Sequence, residues 1–228
     1  MTKGTKIDVL DKGFVRLVDY MGSDESIVRA ARVSYDAAWR AGEDKGSDKR
    51  LINYLWKHAH TSPFESVTFT FEIKAPIFVI RQWHRHRTWS YNELSGRYKE
   101  LKAEFYVPSS EIIGLQSTNN KQARDLVPNP HAEAAIGIME KAMGYNYEAY
   151  EVLLSLGVPR ELARSILPVS TYSHMFGTVN LRNLLHFLDL RSADDSQYEI
   201  RQYANAIKEL IKEIVPVTME IYDIPNKD

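Results

Sequence analysis

The chain of 228 residues contains no cysteine. That absence excludes thiolate nucleophiles, CxxC redox chemistry, iron–sulfur clusters and cysteine zinc sites together. Covalent or redox chemistry must then come from another residue type or from a bound cofactor. No apolar run approaches the ~20 residues a membrane helix requires. The first residues, MTKGTKIDVLDKG, hold no apolar signal core, so a cytoplasmic address is expected. GxGxxG and GxxxxGKS/T are both missing, which excludes a Rossmann or P-loop nucleotide site. There is no HExxH and no carboxylate triad, and the pairs His58/His60 and His84/His86 alternate, so neither pair shares a helix face. No metal site is expected. Net charge is also missing: 29 basic residues face 30 acidic ones, for a formal charge of −1 and no global attraction to nucleic acid.

What is present is ordinary for a folded protein: 44% hydrophobic, 11% aromatic and 26% charged residues. A compact monomer of this size should expose about 10,600 Å². No repeat, low-complexity tract or linker divides the sequence, so residues 1–228 read as one domain. Residues 7–10 and 14–20 flank Lys12-Gly13 and predict a hairpin. A helix is expected over 27–34, capped by Ser23 or Asp24, then a polar loop over 41–48 and a helix over 49–60 with Leu51, Tyr54, Leu55 and His58 on one face. Residues 67–74 alternate cleanly and predict a strand. Pro76 opens a helix that runs through Trp83. Residues 109–130 lack periodicity and read as a long surface loop. A long amphipathic helix through Ile136, Met143 and Tyr150 ends at Gly157. Pro159 starts another helix, 169–179 reads as a strand, and helices follow over 180–190 and 196–214. Together these predict an α+β domain.

The chemistry gathers in residues 81–97, RQWHRHRTWSYNELSGR. Four arginines against one glutamate give this stretch a formal charge of +3. A helix C-terminus alone would attract cations, at ~0.3–1 kcal/mol each. The continuation Ser90 to Arg97 adds hydroxyls, an amide and a glycine, which are short donors suited to close approach of a phosphate. The aromatic residues Trp83, Trp89, Tyr91 and Tyr98 interleave with the arginines, an arrangement also seen where single-stranded nucleic acid stacks.

The string Arg85-His86-Arg87-Thr88-Trp89-Ser90-Tyr91-Asn92-Glu93-Leu94-Ser95-Gly96-Arg97 resembles RHRxxSxNExSxR, the signature of the flavin-dependent thymidylate synthases. Segments at 29–34, 60–65, 157–160, 163–164 and 188–191 also resemble that family, in family order. The resemblance implies an α+β fold with a mostly antiparallel sheet packed against several helices, assembled as a homotetramer with shared active sites. It implies methylation of dUMP to dTMP, with 5,10-methylenetetrahydrofolate as carbon donor and NADPH-reduced FAD as reductant. The missing thiol agrees with that chemistry, since a flavin can then replace the cysteine nucleophile of unrelated thymidylate synthases.

Residue roles follow from the same resemblance. Arg191 is the expected catalytic residue, a cation beside the uracil ring. Gln82, Arg85, Glu93, Leu94, Ser95, Gly96, Arg97, Arg164 and Arg191 would hold dUMP. Ser62, Arg85, His86, Arg87, Glu93, Asn180, Arg182 and His186 would hold FAD, with His60 beside the flavin ring. On the residues alone, Arg97 could instead pair with Glu93 or Glu161 at the surface, Asn180 could be a helix N-cap, and Trp89 could flank a ligand. Asp195 stands where the family commonly has histidine, which removes a histidine contact to FAD there. Two other classes compete: an RNA-binding module built on residues 81–97, and a nucleotide hydrolase, which usually needs clustered acidic metal ligands.

Overall fold

The computed structural model describes residues 2–224. The two N-terminal apolar stretches form the expected hairpin, β1 (Lys6–Val9) and β2 (Gly13–Met21), paired antiparallel with Val9 opposite Gly13. Helix α1 (Asp24–Arg32) starts at Ser23, whose backbone N–H donates to the Ser26 hydroxyl at 3.1 Å. It stops two residues short of the expected end, where the chain tightens into a 3₁₀ turn over 33–35. Helix α2 (Lys45–Lys57) begins four residues before the expected start and ends three before the expected end. Asp44 caps its N-terminus by accepting from the Ser47 amide at 3.0 Å. At its other end Ala59 takes a left-handed φ of 53°, which breaks the helix before His60. The buried face of α2 is Asp48, Ile52 and Leu55, not the expected one: Tyr54 and His58 are exposed. Asp48 moves inward because Arg32 meets its carboxylate at 2.8 Å.

Strand β3 (Thr68–Pro76) shows the alternation read from the sequence: Phe69, Phe71 and Ile73 are buried, and Thr68, Thr70, Glu72 and Lys74 half-buried. Pro76 then caps α3 (Ile77–Trp83), and the arginine-rich stretch turns back as β4 (Ser90–Glu93). The expected featureless loop holds a helical turn, α4 (Ser110–Ile113), and a small hairpin, β5 (Leu115–Gln116) with β6 (Arg124–Asp125). Elements this short carry no periodicity to read. The long helix α5 (Ala132–Ser155) and the short α6 (Arg160–Ala163) lead to β7 (Tyr172–Asn180), α7 (Leu181–Arg191) and α8 (Tyr198–Ile211). A further helix, α9 (Pro216–Tyr222), was not legible. Pro216 begins it after a turn over 212–215, and α8 ends at Ile211, three residues before the expected 214.

The strands form a five-stranded sheet in the order β1-β2-β3-β7-β4, antiparallel throughout. Its apolar face and helices α1, α7, α8 and α9 share one core, from Val15, Leu17 and Phe71 to Phe187, Tyr203 and Met219. Trp89 belongs to this core at 5% exposure. The chain exposes 13,305 Å², about a quarter more than the compact-monomer expectation. Much of α5 explains the excess: only Ala132 and Tyr150 are buried in it, while Ile138, Tyr145 and Val152 are more than half exposed.

Candidate active site

Burial of one helix and one turn fixes the first half of the site. Val79, Ile80 and Trp83 anchor α3 in the core, and Trp89 anchors the return strand. Between these anchors the Tyr91 hydroxyl serves two backbone carbonyls, those of Trp83 and His86, at 3.0 Å each. Burial pushes the Tyr91 phenol well above its ordinary pKa, so it remains a donor. The turn therefore alternates: His86 points inward, whereas Arg85, Arg87 and Thr88 face solvent.

Helix α7 supplies the second half. Asn180 caps it by accepting from the Asn183 amide at 3.0 Å, and Phe187 and Leu188 bury its inner face. His186, Leu190 and Arg191 then face Arg85, His86, Arg87 and Thr88 across a cavity of about 480 Å³. The Arg191 Nε donates to the His86 Nε2 at 2.9 Å. Accepting that bond requires an unprotonated Nε2, hence a neutral imidazole. Burial first, then the charges of Arg191 and His186, lower the His86 pKa to about 4. Burial also lowers the pKa of Arg191. Three guanidinium groups and two imidazoles around one cavity form a donor set suited to planar, anionic ligands.

The other expected residues fall into two further groups. In the first, the Ser173 hydroxyl donates to Glu93 Oε1 at 2.7 Å, and Arg97 meets Glu161 at 3.1 Å with both side chains more than half exposed. Gly96 is buried beside Arg164: a Cβ there would stand 3.1 Å from the Arg164 Cδ. In the second group Ser62 lies in the 3₁₀ turn before β3, and Arg182, in the first turn of α7, pairs with Glu65 at 2.5 Å. Gln82, Glu93 to Arg97, Arg164, Ser62, Asn180 and Arg182 do not line the arginine–histidine cavity within one chain. His60 is exposed, its ring 5.8 Å from that of Tyr54. Asp195 is exposed in the turn after α7. Among the described residues no group of three or more metal-ligating side chains occurs.

Sequence reasoning missed Thr88 and Leu190, which line the cavity through local geometry and carry no chemical signal. It also missed a polar network at Glu199, which looks like any acidic residue in the first turn of an amphipathic helix.

Residues 16–217 match the family model described as "Thymidylate synthase complementing protein". The chain is 51% identical over 217 residues to a flavin-dependent thymidylate synthase of Thermus thermophilus, covering 95% of this chain and 78% of that protein. It is 49% identical over 217 residues to one from Thermotoga neapolitana, covering 95% and 94%. The fold superposes with a TM-score of 0.86 on the crystal structure of a UMP/dUMP methylase, PolB, from Streptomyces cacaoi bound with 5-Br dUMP, at 37% identity over 95% of this chain and 97% of that one.

Proposed function

The chain belongs to the family of flavin-dependent thymidylate synthases, and from that premise we propose that it methylates dUMP to dTMP with FAD as cofactor. 5,10-Methylenetetrahydrofolate is the proposed carbon donor and NADPH the proposed source of reducing equivalents. The observation that carries this reading is the Arg191–His86 pair at the arginine-lined cavity.

Arg191 spends its Nε on His86, the one hydrogen bond its side chain makes among the described residues. Both Nη groups stay available as a fork for a planar ligand. Set beside O2 and N3 of uracil, that fork stabilises negative charge growing on the ring, typically worth about 2.7–4 kcal/mol in the barrier. His86 holds the fork still and, being neutral, adds no competing cation. Arg85, Arg97 and Arg164 are the proposed phosphate ligands, assisted by the Ser95 hydroxyl and the Gly96 amide. Charged hydrogen bonds of this kind contribute about 1.5–3 kcal/mol each. The exposed Arg97–Glu161 pair opposes this little, since such pairs are worth about 1 kcal/mol or less. Gln82, Glu93 and Leu94 complete the proposed dUMP site.

The donor set fits FAD as well: Ser62, Arg85, His86, Arg87, Glu93, Asn180, Arg182 and His186 offer the hydroxyl, imidazole, amide and guanidinium groups that a dinucleotide's phosphates and ring edges require. When bound, FAD supplies the redox chemistry that a thiol-free chain cannot. Asn180 spends its side-chain oxygen on its helix cap, which leaves its NH₂ for the cofactor.

A homotetramer with shared active sites is part of the proposal. Two observations support it: the proposed ligand set falls into separate groups within one chain, and the surface is larger than a compact monomer's, with apolar residues exposed along α5. A cavity of about 480 Å³ is the size of one small-ligand site, whereas the reaction assembles three ligands. The test of function is the visible spectrum of purified protein, before and after adding FAD, followed by titration with dUMP and with UMP. A flavin band perturbed by dUMP supports the reading. A colourless protein that takes up no added FAD overturns it.

A further inference from the structure

The turn 192–197 joins Arg191 to α8 and is fixed at both ends. The Ser196 hydroxyl donates to the Arg191 carbonyl at 2.8 Å, and the Arg201 guanidinium donates to the Asp194 carbonyl at 2.7 Å. At its last residue lies a side-chain relay. Gln197 donates its Nε2 to Glu199 Oε2 at 2.8 Å and accepts, on its Oε1, from the Nε2 of Gln82. The second Glu199 oxygen accepts from Arg124 at 2.5 Å and from the Tyr106 hydroxyl at 3.1 Å. Glu199 is 2% exposed, so its carboxylate relies on these partners. Arg124 comes from the β5–β6 hairpin, in the segment that read as a plain loop, and its guanidinium lies over the Tyr198 ring at 5.4 Å.

We propose that Glu199 is a positioning residue for the nucleotide site: paired with Arg124, it sets the orientation of Gln197 and through it that of Gln82, so that Gln82 presents its carbonyl oxygen to a hydroxyl or N–H donor of dUMP. The inference rests on the reading of Gln82 as a dUMP ligand. Its logic is hydrogen-bond polarity. An ionised carboxylate only accepts, so Gln197 must turn its NH₂ toward Glu199. Its carbonyl oxygen is then aimed at Gln82, which must answer with its own NH₂. The Gln82 oxygen is left to accept. Without a fixed acceptor at the start, either amide could rotate by half a turn and offer the opposite pattern. The hairpin matters because Arg124 meets the buried carboxylate at 2.5 Å and holds it in place, and so links a peripheral segment to substrate recognition.

The test compares steady-state kinetics of FAD-loaded Q197L, E199Q, R124Q and R124K with wild type. Gln197 is exposed, so Q197L cuts the relay with little risk to folding. Loss of one oriented hydrogen bond should raise the dUMP KM about three- to tenfold in Q197L and E199Q. We expect kcat, FAD affinity and Tm of Q197L to stay close to wild type. R124Q should raise the dUMP KM in the same direction, and R124K should restore it. A purely structural role would lower Tm and FAD affinity together and would not divide KM from kcat. A dUMP KM within twofold of wild type in folded Q197L overturns the inference alone, whereas a wild-type protein that does not bind dUMP overturns the reading of the site and the inference with it.

Discussion

The ring of Phe187 lies 4.9 Å from that of His86 and meets it at 69°, while the Trp83 ring stacks on Phe187 at 4.9 Å. One fully buried side chain thus joins the hydrophobic core to the cavity wall. Replacing it by alanine should cost about 3–5 kcal/mol of stability, as large-to-small changes of buried aromatics do. Phe187→Leu should cost much less. Denaturant unfolding of the two variants measures the difference; equal and small losses would show that this ring does not support the site.

His86 should be neutral throughout the range in which histidines normally titrate, because burial and the neighbouring Arg191 bring its pKa to about 4. An unfolded chain takes up this proton near pH 6.5. The unfolded state therefore binds more protons between pH 6.5 and 4, and His86's contribution to stability is complete above that window and declines as pH falls through it. NMR titration of the His86 ring should show no midpoint down to pH 5. A midpoint near 6.5 would contradict the Arg191–His86 geometry.

Arg191→Lys should fold normally and lose most turnover. Lysine keeps the charge but loses both the Nε bond to His86 and the planar fork. The expected loss in kcat is about 10²–10³-fold, the size associated with one preorganised donor. Retention of near wild-type kcat would remove Arg191 from the catalytic role.

Arg97→Ala should weaken dUMP binding by at least tenfold, from loss of charged hydrogen bonds worth about 1.5–3 kcal/mol. Its pairing with Glu161 is exposed, so stability should change by no more than about 1 kcal/mol. Calorimetry with dUMP and thermal unfolding read the two effects separately. A large loss of stability with unchanged dUMP affinity would make Arg97 a structural residue.

Much of the framework was legible because period and punctuation agreed. The 67–74 alternation gave β3, Pro76 gave the start of α3, and Asn180 is both a cap and a junction residue. Errors arose where tertiary contacts outweighed local pattern. Arg32 draws Asp48 inward and rotates the buried face of α2, and the expected helix through 214 ends at Ile211, with a further helix beyond it. The cationic turn at 85–87 was visible as a charge excess in a chain of formal charge −1. Its meeting with α7 was not, since about a hundred residues of sequence separate His86 from Arg191 and only the packing of Phe187 brings them together. The Glu199 network was equally hidden, its partners Arg124, Gln197 and Tyr106 coming from a short hairpin, a turn and a segment outside the named elements.

The most direct test is conversion of dUMP to dTMP by purified protein supplied with FAD, NADPH and 5,10-methylenetetrahydrofolate, each omitted in turn. We predict dTMP only in the complete mixture, with loss of product in every omission apart from that of FAD where the protein already carries it. Absence of dTMP from the complete mixture, with folded and flavin-loaded protein, would contradict the account.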